Sequence, residues 1–342
     1  MSDVYFFPGT KKEEMAEAIE TLYERISGNF DVRGKKVAIK LHFGEKGNRT
    51  HIDPAFVKRI CEIVREKGGR PELVECNTLY RGERLKTESH LSLAKAHGFG
   101  FAPVVICDDG GRSWEIPVHG KHFKKIKAGA GLKNYDMMIA VSHCKGHMSA
   151  GYGGALKNVG MGLGSRAGKL EMHAKVRPVF DHERCNACGL CVRNCPANAI
   201  VLDKYAVMDS AKCIGCATCI AVCPYGAVQV PWTGTTPKEI QERIVEYAAA
   251  ITSKIKTVYF NFLINITPHC DCIADSGKPM IKDIGILASE DVVSIEQASI
   301  DMITEKAGKD LFMEKNGIDV SVQPSYAEAM GMGERTYVIV SV

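Results

Sequence analysis

The stretch CNACGLCVRNCP (residues 185–196) recurs as CIGCATCIAVCP (residues 213–224), giving two complete runs of the pattern C-x2-C-x2-C-x3-C-P. Spacing this close lets three thiolates of one short segment converge on a single centre. Pro196 and Pro224 then turn the chain away after the fourth cysteine and remove a backbone donor. Small residues stand between the cysteines, Ala187, Gly189, Gly215 and Ala217, where an inorganic core would approach the backbone. Zinc takes its ligands as tetrahedral pairs, and disulfide frameworks belong to small secreted chains. Neither matches four cysteines and a proline twice over.

The runs divide the chain. Before them, apolar segments at residues 4–7, 37–41, 73–76, 104–107 and 137–141 read as strands. Helices fall between: Met15, Ile19, Leu22 and Ile26 recur at helical spacing, and Pro54 opens a helix whose apolar face includes Val57, Ile60 and Val64. Between about residues 176 and 232 the texture changes to short apolar pieces and cysteines. After Pro237 the helix–strand pattern returns, with an amphipathic stretch at 240–251 and strands at 258–264 and 337–340. The expectation is an α/β fold, a largely parallel sheet with helices on its faces. Residues 1–176 form its first part and 236–342 its second, interrupted by a small α+β insert at 177–235.

A formal net charge of +4, from 44 basic and 40 acidic residues, creates no strong field for nucleic acid. The lysine-rich segment at 121–127 reads as a solvated face or hairpin. No run of eighteen apolar residues predicts a membrane span, and the N-terminus lacks the basic start and apolar core of a signal peptide, so a cytoplasmic location is expected. In that reducing compartment fourteen cysteines favour metal ligation over disulfides.

A second constellation, VSHCKGHMSAGYGGALKN (residues 141–158), leaves a predicted strand, and α/β sheets bind ligands beyond such strand ends. Gly151, Gly153 and Gly154 permit close backbone approach, and with Asn158 they are the expected cofactor-binding residues. His147, Lys157 and His173 together can ligate a metal, bind an anion or move a proton, which makes them the catalytic candidates. The alternative is that they are hydrogen-bonded structural residues. Downstream, His269, Cys270 and Cys272 in TPHCDC (residues 267–272) are either soft metal ligands and redox thiols or buried, inert groups. Cys61, Cys76 and Cys107 fall on helix or strand patterns and read as core.

The cysteine runs resemble bacterial two-cluster ferredoxins, in which the fourth cysteine of each run crosses to the other cluster. That resemblance implies two 4Fe–4S clusters, one held by Cys185, Cys188, Cys191 and Cys223, the other by Cys213, Cys216, Cys219 and Cys195. Outside the runs, the loop at 145–158, the motif at 268–272 and DIGILAS (residues 283–289) resemble the uncharacterised iron–sulfur family of domain of unknown function three-six-two. That family often carries such a ferredoxin insert, and the likeness covers nearly the whole chain. The segment from His147 to Lys157, with His173 beyond, is also similar to the nickel-pincer lactate racemases. There a histidine does acid–base work, a lysine tethers the pincer nucleotide and a later histidine binds nickel. The matching positions are His147, Lys157 and His173. The racemase motif Asp-x-Thr-Arg-Pro is absent near the N-terminus, so the likeness implies a related ligand loop rather than racemase activity.

These features predict an iron–sulfur redox protein whose insert passes electrons to or from a substrate or cofactor in the α/β cleft, a possible oxidoreductase. The cleft would take a further metal or an anionic cofactor, and the partner would be a redox protein or a small molecule. The alternatives are a non-catalytic electron carrier, and a metal- or cofactor-binding protein with its clusters in a sensing or assembly role.

Overall fold

Apolar segments on both sides of the cysteine runs enter one eight-stranded sheet in the computed structural model, which describes residues 1–174 and 177–342. Its strands are β1 (Ser2–Phe7), β2 (Lys36–Lys40), β3 (Arg70–Glu75), β4 (Val104–Ile106), β5 (Met137–His143), β6 (Lys256–Leu263), β7 (Gly285–Ser289) and β8 (Tyr337–Ser341), in the order β8-β1-β7-β6-β5-β2-β3-β4. Neighbours are parallel except where β7 runs antiparallel to both β1 and β6. The expected largely parallel α/β architecture is therefore present.

Side chains alternate between two cores, as the two-residue period of a strand requires. Met137, Ile139 and Val141 of β5 face one, and Met138 and Ala140 the other. Strands covered on both faces are apolar throughout, which made them visible in the sequence. Helices α1 (Lys12–Ile26) and α2 (Pro54–Glu66) cover one face. On the other lie α3 (Ala155–Leu163), α5 (Pro237–Thr252) and α6 (Val292–Ala307), with α4 (Arg166–His173) between α3 and the insert. Asp53 caps α2 and a Thr236–Glu239 capping box opens α5, each with proline at the first helical position.

The insert is built from two short ribbons, Val179–Phe180 with Val228–Gln229 and Ile200–Leu202 with Ala206–Met208, and two short helices, Leu190–Arg193 and Thr218–Val222. It has its own small core, into which Leu79, Leu170 and Ala174 of the α/β part also pack. The expected boundary between residues 176 and 177 falls at the edge of residues 175 and 176, which lie outside the described residues. The lysine-rich segment closes a hairpin of Ser113–Pro117 with Lys125–Gly129.

One helix start matters for the site. Helix α3 begins after Gly154 with no side-chain cap of its own. Glu296 of α6 supplies one, its Oε1 accepting from Ala155 N at 2.6 Å and from Asn261 Nδ2 at 3.0 Å. A Cβ at Gly154 would stand 2.2 Å from that oxygen, so only glycine leaves room. Burial raises Glu296 from the ordinary 4.5 to about 7, against the hydrogen bonds that lower it. A raised carboxyl contributes its full stability below the unfolded-state value and loses it as pH rises through the folded value. Between pH 4.5 and 7, denaturant unfolding should show Glu296→Gln gaining on the parent by on the order of 3 kcal/mol. A constant difference across that range would refute the assignment.

Candidate functional site

The strand order reverses between β5 and β2: from β2 the chain steps outward through β3 to β4, and from β5 the other way through β6 to β7. Ligands of open α/β sheets bind beyond the carboxyl ends of the strands at such a reversal. Here a cleft of about 680 Å³ opens above β2, β3 and β5. Lys40, Arg81, Arg84, Lys145, Lys157 and Lys169 line it against Glu45 and Glu75, an excess of positive charge that suits an anionic ligand.

The floor is a buried ion network. Lys40, the last residue of β2, donates to Glu75 Oε1 at the end of β3, to Asn158 Oδ1 on α3 and to Leu41 O, each at 2.8 Å. Glu75 Oε2 accepts from Arg84 Nη2 at 3.0 Å. Arg84 in turn reaches His90 through Nε and both His42 and Tyr80 through Nη1. Burial works against the Glu75 carboxylate, yet the charges of Lys40, Arg84 and Lys169 hold it below its ordinary range.

A second buried group fixes the side wall. His143, at the end of β5, places Nδ1 2.8 Å from Asp271 Oδ2 and Nε2 2.9 Å from Ile264 O. Asp271 also accepts from Thr50 Oγ1 at 2.8 Å and pairs with Lys145 at 3.4 Å. Burial raises this carboxyl, but His143 and Lys145 outweigh that and keep it well below its usual value. His143 is thus a strut beneath the cleft.

Above it, residues 145–147 and 151–153 pair as a small antiparallel hairpin instead of an open loop. His147 Nδ1 accepts from Ser149 N and Ala150 N, both at 3.2 Å. Burial and then the Lys157 charge push this imidazole well below its ordinary range, so it is neutral with its proton on Nε2. Burial, Lys157 and Lys169 lower His173 to about 3. Its ring meets Trp232 edge to face at 4.9 Å. Lys157 Nζ lies 3.9 Å from Cys270 Sγ. The Cys270–Cys272 pair divides unequally: a hydrogen bond from Cys272, then Lys157 and Lys145, draw Cys270 well below the ordinary thiol value despite burial, and Cys272 rises as the donor.

The cleft thus gathers His147, Lys157, His173, Gly153, Gly154, Asn158, Cys270 and Cys272 from three separate stretches. His147, and not the expected His269, stands with the two thiols, their ligand atoms all within 4.8 Å of one another. His147 reaches them because the hairpin folds back over the turn at 270–273. Gly151 faces Ile318 and Val320 instead of the cleft, and Asn158 is committed to Lys40, Val141 O and Ser142. Sequence reading missed Lys40, Glu75, Arg84, Lys145 and Asp271. Charged residues ending the apolar strands β2 and β3 were the available signal.

In the insert, one cavity is lined by Cys185, Cys188, Cys191 and Cys223, and a second by Cys195, Cys213, Cys216 and Cys219. A single tetrahedral ion with metal–sulfur bonds of about 2.3 Å would hold its sulfurs about 3.8 Å apart. Among the described residues, no three cysteines of the runs draw together within 4.8 Å. Such open four-sulfur cavities fit a cluster. The loops fit it too: Ala187 (φ 58°) and Gly189 (φ 72°) repeat as Gly215 (φ 70°) and Ala217 (φ 59°). Left-handed alanine costs about 1–2 kcal/mol, and such turns aim backbone N–H groups into an anion-binding concavity. Ala199 N donates to Cys195 Sγ at 3.3 Å and Ala206 N to Cys185 Sγ at 3.4 Å.

Insert and cleft share a wall. Leu79 and Arg81 line the cleft. Leu79 packs in the insert core with Cys191 and Cys219, and Arg81 Nη2 donates to Pro224 O, beside Cys223, at 2.8 Å.

The family described as Domain of unknown function (DUF362) matches residues 37–301, and the chain belongs to it. No curated protein matches the chain. Among solved structures, a lactate racemase apoprotein from Thermoanaerobacterium thermosaccharolyticum aligns at 13% identity and a TM-score of 0.47, covering 90% of this chain and 58% of that one. A structural-genomics protein from Thermotoga maritima aligns at 13% identity and 0.40, covering 75% and 51%. The chain spans little more than half the length of these proteins. Among the described residues no helix is long and apolar enough to cross a membrane.

The floor network makes a sharp prediction. Lys40→Met leaves Asn158 Oδ1 without its donor and Glu75 with only the Arg84 ion pair and the Cys76 amide, and breaking a buried pair from one side costs about 3–5 kcal/mol. Denaturant unfolding should show that loss. A change within about 0.5 kcal/mol, the usual effect of a surface substitution, would mean the network carries no structural weight.

Proposed function

We propose that this member of the Domain of unknown function (DUF362) family is an iron–sulfur redox protein with two 4Fe–4S clusters in its insert, exchanging electrons with an anionic small molecule in the α/β cleft. The partition of the eight run cysteines into two four-sulfur cavities carries this reading. When bound, the clusters supply one-electron transfer. The chain's own residues do the rest. Leu79 and Arg81 join the cleft wall to the insert, and Lys157, Arg81 and Lys169 attract and orient an anion. His147 offers it an N–H donor held in one tautomer by two amides. Exposed Cys188 gives a redox partner protein, in a cytoplasmic setting, a point of access to the insert. A carrier alone has no use for a cationic cleft on the insert's inner side, which favours an oxidoreductase.

Anaerobically reconstituted protein should hold about eight iron and eight acid-labile sulfide per chain. Cys223→Ala should impair the cluster of the first run, and Cys195→Ala that of the second, read by iron content and electron paramagnetic resonance. One cluster per chain sinks the two-cluster reading, and loss of the same-run cluster in each variant sinks the crossover.

A further inference from the structure

The six cysteines outside the insert divide into two kinds. Cys61 and Cys144 are pushed up to about 12 by burial, and burial also raises Cys76 and Cys107, so all four are inert thiols. Cys270 and Cys272 differ in setting. They flank Asp271, which is clamped by His143, Thr50 and Lys145, and whose carbonyl accepts from Glu45 N at 2.9 Å. The chain turns there, with Ile273 N donating to Cys270 O at 3.2 Å. With the middle residue fixed, the two sulfurs are held within 4.8 Å on the cleft side, and Lys157 Nζ stands 3.9 Å from Cys270 Sγ.

We infer that Cys270 and Cys272 form a dithiol/disulfide redox centre on the cleft wall, in two-electron exchange with the insert. This rests on the cluster reading above. A soft metal ion on the same sulfurs would need a lone pair from His147. Its Nδ1 lone pair already accepts from two amides, and its Nε2 carries the proton. The imidazole therefore faces the pair as a neutral neighbour rather than a ligand.

The chemistry balances. On oxidation the Cys272 S–H bond breaks, one S–S bond forms to Cys270, one proton passes to the cleft and two electrons leave. The insert, with two cysteine cavities, has capacity for one electron in each. Reduction runs the same step backwards. Leu79 and Arg81 line the same cleft as the two cysteines and also touch the insert, so one wall adjoins both centres. Cys272 is partly exposed to the cleft, so a disulfide or other two-electron acceptor there can reach it.

The test uses the full chain, cluster-reconstituted under anaerobic conditions and poised at a series of potentials. Free thiols are trapped by alkylation under denaturing conditions, and the peptide containing both cysteines is weighed. The expected result is a reversible two-electron transition in which Cys270 and Cys272 lose and regain both alkyl groups together while iron stays constant. In the native reduced protein, Lys157→Met should slow alkylation of Cys270 at neutral pH by about tenfold, since the nearby ammonium stabilises the thiolate. Cys272→Ser, which keeps a hydroxyl donor toward Cys270, should abolish the transition with full iron retained. Two outcomes overturn the inference with the clusters intact: both thiols alkylatable at every potential, or a stoichiometric non-iron metal lost in Cys270→Ser. Iron-free protein would instead overturn the cluster reading and remove the electron exchange with it.

Discussion

A buried ammonium at the end of a central strand organises this molecule. Taking Lys40 out of water costs several kcal/mol unless good partners offset it. Those partners, Glu75 on β3 and Asn158 on α3, sit on different elements. Satisfying one charge therefore fixes two neighbouring strand ends and the first turn of a helix against each other. Lys157 is the residue before Asn158, so an ammonium lining the cleft takes its position from the charge beneath. The helix start is held separately, by Glu296 from the side.

The segment after β3 carries that order outward. Arg84 joins the floor through Glu75, while Leu79 and Arg81, a few residues earlier, reach the insert core and the carbonyl beside Cys223. One short stretch thus touches the ion network, the cleft and the cysteine module. The insert is fixed to the site by packing and a charged hydrogen bond, not tethered only by its ends.

Much of this was legible because of its period or spacing. Strands buried on both faces announce themselves as apolar runs, and the cysteine runs are defined by close spacing alone. The loop residues His147, Lys157 and His173, and the thiols Cys270 and Cys272, were legible as chemistry-bearing residues at strand ends. The rest is tertiary. Short β7, five residues opened by Gly285, carries little strand signal of its own, and its antiparallel direction follows from its connections rather than its residues. Lys40, Glu75 and Arg84 lie far apart in the chain and only the fold makes them one network. Asn158, expected to hold a cofactor, is spent on Lys40, and His269 yields its place beside the thiols to His147, because a hairpin crosses over a turn.

The interleaving of the sheet also dictates an order of assembly. β1 pairs with β7 and β8, and β5 finds its second neighbour only in β6. During synthesis all eight run cysteines emerge before any of those later strands exists. Until then the first strand has no partner, and one side of β5 is an open edge. The cysteine module is therefore complete while the sheet that will enclose the cleft is still unfinished. All eight of its cysteines are in place before the cleft beside it closes.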